Sequence, residues 1–243
     1  MTSQMRRLTL TCVLLGAATA ALADDLEAAE KRIVEAWGKH KSMSAKIATT
    51  NHMEMGDMVM DGKGEGTLEM QREGDKQFIR MELKNAMTRK AGGQETKTDQ
   101  AMTLIADGEF AYTSSDAMGK PVVVKSKIDP MMTSEPKALL AELRKQNDLK
   151  LLPEDKVDGQ KVFVIEATPK EKKASPGAPA KMVLSFDQEH GVMVKSTALS
   201  EDGKPVNTMT YSDLKYDVKI DADRFKFKAP EGVQVIDSTG EKP

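Results

Sequence analysis

The chain has 243 residues, with 36 Lys and Arg against 38 Asp and Glu, 39% hydrophobic residues, 4% aromatics and one cysteine. Interspersed, nearly balanced charge argues against a nucleic-acid partner, and the scarcity of aromatics argues against a sugar-stacking site. The residue in excess is methionine, with 17 along the chain.

The first residues pair a basic start (Arg6, Arg7) with an apolar run from Leu8 to Ala20 and the small-residue motif Ala21-Leu22-Ala23. That pattern predicts a secretory signal peptide over 1–23, cleaved after Ala23, and a single mature domain over 24–243 exported to the periplasm. The apolar run is short for a membrane span. Cys12 lies inside the leader, so no disulfide is expected in the mature chain. Removing Arg6 and Arg7 from the 36 basic residues leaves 34 against 38 acidic ones, a net charge of −4.

Residues 24–40 read as an amphipathic helix: Leu26, Ala29, Ile33, Trp37 and His40 recur at steps of three and four, with Asp24, Asp25 and Glu27 at its start. After Lys41 the period becomes two, predicting a strand over 43–49, with turns at Gly56-Asp57 and Asp61-Gly62. Strands are expected over 66–72, 77–84, 97–106, 109–114 and 121–127. In 77–84, Ile79, Met81 and Leu83 face one way and Arg80, Glu82 and Lys84 the other, giving a dry and a wet face. A helix over 134–146 follows, with Thr133 and Ser134 as caps, Pro136 in the first turn, and Leu139, Leu140 and Leu143 as its apolar stripe. Strands resume over 161–168, 181–187, 192–200, 205–211 and 225–228. Asp158-Gly159, His190-Gly191 and Asp202-Gly203 are their turns, and 169–180 is a polar Pro/Gly/Ala-rich loop. Ten or eleven short strands and two helices predict an α+β, mainly β fold: a large curved antiparallel sheet, an open half-barrel, with helices covering its concave face.

Catalytic signatures are lacking. His40, His52 and His190 lie in separate segments without Cys partners or metal-ligand spacing, and read as ordinary turn and surface residues. Nucleophile elbow, P-loop and dinucleotide fingerprint are absent, so no enzyme and no cofactor is expected. The glycine-rich Gly62–Gly66 joins strands rather than opening a helix, which disfavours a phosphate cradle. The segment Asn51–Met60 packs His52, Met53, Met55, Met58 and Met60 into ten residues. Thioethers bind Cu(I), and Met53 with Met55, or Met58 with Met60, share a strand face. A regular strand turns His52 to the opposite face, however, and the other methionines are spread along the chain. Plain core packing and an adaptable ligand-facing lining both stand above copper, the lining somewhat ahead.

The C-terminal stretch beginning at Leu184 ends in Phe225, Phe227, Pro230, Gly232, Val233 and Val235. This resembles the F-x-F-x-x-P-x-G-V-x-V close of the periplasmic outer-membrane lipoprotein carrier, or lipoprotein-sorting, family with its LolA/LolB-like fold. Upstream, Gly66, Leu68, Arg72, Phe78 and Arg80 match the family's G-x-L-W-x-x-R-P-x-x-F-R element, and "LIADGEFAY" is similar to the strand pair that follows. Glu69 and Glu73 stand where the family has Trp and Pro. The resemblance implies a carrier or binding protein for lipoprotein acyl chains or another lipid-like ligand, acting as a monomer. Its partners would be an inner-membrane release complex and an outer-membrane acceptor. In the family the arginine at the position of Arg72 helps hold the lid helices closed.

The expected cavity lining is Ile33 and Trp37 from the first helix, Leu139 and Leu143 from the second, and Leu68, Met70, Ile79, Met81, Met102 and Leu104 from strands. The alternatives are a non-transporting sensor or binding module on the same fold, and a Met-rich Cu(I)-binding protein using His52, Met53, Met55, Met58 and Met60.

Overall fold

The computed structural model describes residues 14–116, 121–129, 135–171 and 178–240. Twelve strands form one open sheet: β1 (Ser42–Met55), β2 (Met58–Glu73), β3 (Lys76–Ala91), β4 (Gln94–Asp107), β5 (Phe110–Ser115), β6 (Val122–Lys127), β7 (Asn147–Val157), β8 (Gln160–Pro169), β9 (Lys181–Asp187), β10 (Met193–Leu199), β11 (Pro205–Tyr216) and β12 (Val235–Asp237). Their spatial order is β12-β6-β5-β4-β3-β2-β1-β11-β10-β9-β8-β7. Every pairing is antiparallel except that of β12 with β6. Two helices, α1 (Leu14–Gly38) and α2 (Pro136–Gln146), complete the α+β, mainly β architecture.

Several boundaries differ from those expected. The first helix begins at Leu14, continuous through the apolar leader, and stops at Gly38, which leaves His40 beyond its end. Asp61-Gly62 is no turn. It lies inside β2, because Gly56, at a φ of 58°, already turns the chain between Met55 and Met58. Thr133 and Ser134, the expected caps of α2, lie outside the described residues. Glu135 serves instead, its Oε2 accepting from Ala138 N at 2.6 Å, with Pro136 opening the helix. The strand expected over 225–228 is absent: Ala222–Phe225 is a 3-10 turn, and the chain pairs only at Val235–Asp237. β7 was not foreseen. It carries Pro153, which an edge strand tolerates because its outer N–H has no ladder partner to supply.

Both helices pack on one face of the sheet, here the inner face. Leu26, Ala29 and Ile33 of α1 meet Leu139, Leu140 and Leu143 of α2 over Phe163, Ile165, Ala167, Leu184 and Phe186. The outer face is not uniformly wet. Phe225 packs on Phe78, with ring centres 5.9 Å apart, and Phe227 stacks on Tyr112 at 4.4 Å, so the C-terminal strap covers part of it. Arg224 Nε meets Glu69 Oε2 at 2.8 Å under the same strap. Glu69 therefore faces outward and holds this strap.

Candidate functional site

The pairings of β1 to β5 place inner-face side chains in rungs across the strands. Nearest the helices lie Met43, Met70, Ile79 and Ala106, then Ala45, Leu68, Met81 and Leu104, then Ile47, Gly66, Leu83 and Met102. Gly66 apart, these residues form one apolar cluster with Trp37 and Val192. Trp37 is 1% exposed and Met70 0% exposed; Met81 and Met102 are half-buried at the cluster's margin. The ten expected lining residues thus divide. Trp37, Leu68, Met70, Ile79, Met81, Met102 and Leu104 come together in this cluster, whereas Ile33, Leu139 and Leu143 belong to the neighbouring one under α2. All ten side chains lie on the helix side of the sheet.

Beyond the apolar rungs the inner face changes character. The next rung is Thr49, Gly64, Asn85 and Gln100, followed by Asn51, Gly62, Met87 and Thr98. The last two are Met53, Met60, Arg89 and Thr96, then Met55, Met58, Ala91 and Gln94. The four methionines of the sequence cluster therefore share one face. His52 lies on the other, its Nδ1 2.7 Å from Asp61 Oδ1 and its Nε2 3.1 Å from Glu54 Oε1. Hydrogen bonding to Asp61, then to Glu54, raises the His52 pKa above its usual 6.5. Arg89 Nε approaches Met58 Sδ at 3.1 Å, bringing a cation against one of the thioethers. Among the described residues, no group of three or more His, Cys, Asp or Glu side chains is arranged to hold a metal ion.

The C-terminal end of α1 is clasped from two sides. The four last carbonyls of a helix lack intrahelical partners, and a cation there is favoured by the helix dipole. Arg72 Nη2 donates to Trp37 O and Gly38 O, each at 3.3 Å, and to His40 O, while its guanidinium lies 5.3 Å from the centre of the Trp37 ring. From the other side, the turn between β9 and β10 packs against the helix backbone. A Cβ on Gly191 would sit 2.1 Å from Ile33 O, so only glycine fits, and its φ of 69° needs glycine as well.

A histidine pair completes the clasp. His40 Nδ1 is 2.9 Å from Asp217 Oδ2, and His40 Nε2 is 3.1 Å from His190 Nδ1. The Tyr216 ring stacks on His190 at 4.0 Å, and burial pushes its hydroxyl pKa upward. Asp217 also accepts from Lys41 N at 2.8 Å; this bond, and then that from His40, lower its carboxyl pKa. Sequence reading placed His40 and His190 in unrelated segments, and only the β1–β11 pairing brings them together. Of the five buried side-chain polar atoms without a partner among the described residues, Trp37 Nε1, Arg72 Nε and Tyr216 Oη all lie at this junction.

Among the described residues no helix is long and apolar enough to cross a membrane. A family model described only as an uncharacterized protein matches residues 138–228. An uncharacterized protein of Methanocaldococcus jannaschii is 25% identical over 137 residues, which cover 56% of this chain and 38% of that protein. Among solved structures, MucB is similar at 18% identity and a TM-score of 0.47, covering 86% of this chain and 64% of that one. A LolA superfamily protein from Nitrosomonas europaea is similar at 12% identity and a TM-score of 0.30, covering 82% and 98%. The chain spans less than two thirds of MucB and of the Methanocaldococcus relative. These likenesses concern architecture alone, and the architecture of this chain is an open curved sheet with helices across one face.

Proposed function

We propose that this chain is a non-catalytic periplasmic carrier or binding protein for acyl chains or another lipid-like ligand, taken up between the inner face of the sheet and α1. The observation that carries this reading is the composition of the inner face. A buried apolar cluster around Trp37, Met70 and Leu104 and, past two more polar rungs of the same strands, the half-buried methionines Met55, Met58 and Met60 all lie on that one face. Unbranched thioether side chains repack around apolar groups of differing shape, as variable acyl chains require. Each methylene moved from water into such a lining contributes about 0.8 kcal/mol. The cluster is closed by Trp37, so entry requires α1 to move. Arg72 and the His40 clasp hold its C-terminal end, and Leu26, Ala29, Ile33 and the Glu30–Arg144 ion pair hold the rest against α2 and the sheet.

The resemblance to lipoprotein carriers suggests an inner-membrane donor complex and an outer-membrane acceptor as partners. The separation of His52 from the methionine face, and the approach of Arg89 to Met58, favour this reading over a Cu(I) site. Native mass spectrometry of protein purified gently from its own periplasm tests it. Co-purifying acyl species are expected, whereas a ligand-free protein that also ignores uncharged fluorescent lipid probes would end the proposal.

A further inference from the structure

The glycine-rich segment Gly62–Gly66 has no place in the mechanism so far, yet it shapes the middle of the inner face. Gly62, Gly64 and Gly66 are alternate residues of β2, so three successive inner-facing positions of a central strand carry no side chain. A Cβ on Gly66 would lie 1.9 Å from Glu82 O, and one on Gly64 would lie 2.0 Å from Asn85 Oδ1 and 2.5 Å from Thr49 Oγ1. Side chains of the flanking strands occupy the vacated space. Thr49 Oγ1 donates to Asn85 Oδ1 at 3.3 Å across Gly64, and Asn207 Nδ2 donates to Asn51 Oδ1 beside Gly62. Gln100 lies opposite Asn85 on β4 and is half-buried, as are Asn51, Asn85 and Asn207.

The result is a belt dominated by amides and hydroxyls, with Met87 and Thr98 in its second rung and no charged side chain, between the apolar rungs and the methionine rungs. The nearest inner-face cation on these strands is Arg89, two rungs beyond Asn85.

We propose that Thr49, Asn51, Asn85, Gln100 and Asn207 form a subsite for the uncharged ester or amide linkage of an acyl ligand. The protein would then select esterified or amidated acyl groups over free fatty acids. This inference rests on the lipid-carrier reading and adds its substrate class. Primary amides both donate and accept, matching an ester or amide carbonyl and an amide N–H. A carboxylate held there would lose water without gaining a counter-ion, which is unfavourable. A site built to hydrogen-bond a polar group rejects ligands that leave its buried donors unpaired.

The test is displacement of the uncharged probe N-phenyl-1-naphthylamine from the intact mature protein at pH 8 by tetradecanoate, its methyl ester and its N-methylamide. Ester and amide are expected to bind at least about tenfold more tightly than the carboxylate, a difference of about 1.4 kcal/mol. Thr49→Val with Asn85→Leu should lower ester and amide affinity by about tenfold. Gln100→Lys, at the β4 end of the belt, should raise carboxylate affinity, a gain that a purely structural role would not give. Equal binding of the three ligands by the native protein would overturn the subsite while leaving the carrier reading intact. Unchanged ester and amide affinity in a folded Thr49→Val/Asn85→Leu protein would do the same. If probe and ligands all fail to bind, both proposals fall.

Discussion

Arg72 Nη2 on β2 lies 3.3 Å from the backbone carbonyl of Trp37, and the same nitrogen reaches the carbonyls of Gly38 and His40. One strand side chain thereby terminates α1 and fastens its last turn to the middle of the sheet. Lysine, a point donor on a flexible stem, cannot reproduce the planar guanidinium that lies over the Trp37 ring. Arg72→Lys and Arg72→Ala should each destabilise the fold, the alanine variant by about 1.5–3 kcal/mol, the range for hydrogen bonds to a charged group. Hydrogen exchange should rise first in α1 amides. Protection of α1 equal to that of the native chain would show that Arg72 does not hold the helix.

The clasp at Asp217 gives an acid dependence whose sign follows from its geometry. Its carboxyl pKa is lowered in the fold, first by the Lys41 amide and then by His40. Its contribution is therefore present above the ordinary carboxylate pKa and is lost as pH falls through the folded value. Asp217 is largely exposed, so solvent screening keeps the effect modest. In urea melts, Asp217→Asn should be less stable than native protein at pH 7, and the gap should close as pH falls below the ordinary carboxylate range. A gap independent of pH would remove charge from the account.

His52 behaves in the opposite sense. Its pKa is raised, first by Asp61 and then by Glu54, so its pairing favours the folded hairpin below about pH 6.5, and the contribution is lost as pH rises through the folded value. An NMR titration should place His52 above the ordinary histidine pKa, and Asp61→Asn should bring it down. No change in Asp61→Asn would mean that the contact is not formed in solution.

Two close approaches predict steric sensitivity. Gly66→Ala puts a methyl group against Glu82 O and Gly191→Ala puts one against Ile33 O, with costs of about 1–3 kcal/mol each from overpacking. Gly38, with nothing within 4 Å of the equivalent position, is the control. Gly38→Ala should be neutral or stabilising by about 0.4–1 kcal/mol through the unfolded chain. Thermal melts rank the three, and equal midpoints would contradict the packing described.

The methionine face separates ligand lining from metal site. Replacing Met53, Met55, Met58 and Met60 together by Leu should leave binding of an uncharged lipid probe within about threefold, because volume and apolar area are nearly kept. Cu(I) titration against a competing chelator should show no binding tighter than micromolar in the native protein. Tight copper binding lost in the Leu variant would reverse that assignment.

Strand alternation was readable wherever one face is apolar and the other charged. Ile79, Met81 and Leu83 lie on the inner face as their spacing predicts, and the hairpin turn falls at Gly56-Asp57. The reading failed where glycine serves a purpose other than turning. Asp61-Gly62 has turn composition, yet its glycine belongs to a strand that must let its neighbours' side chains meet above it. It failed again at β7, where Pro153 and charged residues mask an edge strand, and at Phe225, whose ring caps the outer face from a 3-10 turn. The His40–His190 contact had no local signature, since it spans 150 residues and depends on the β1–β11 seam.

That seam has a consequence for how the chain reaches its native state. β1 pairs on one side with β2, its neighbour in sequence, and on the other with β11, where Met43 meets Tyr216 and Asn51 meets Asn207. The hairpins from β1 to β5 can form from local contacts as they emerge, but the free edge of β1 stays unsealed until nearly the whole polypeptide is present. Closing so long a loop is slow, and an unsealed hydrophobic edge invites pairing between molecules. Completion of this one seam should therefore limit the rate of folding, and truncations that end before residue 205 should aggregate rather than yield a smaller soluble sheet.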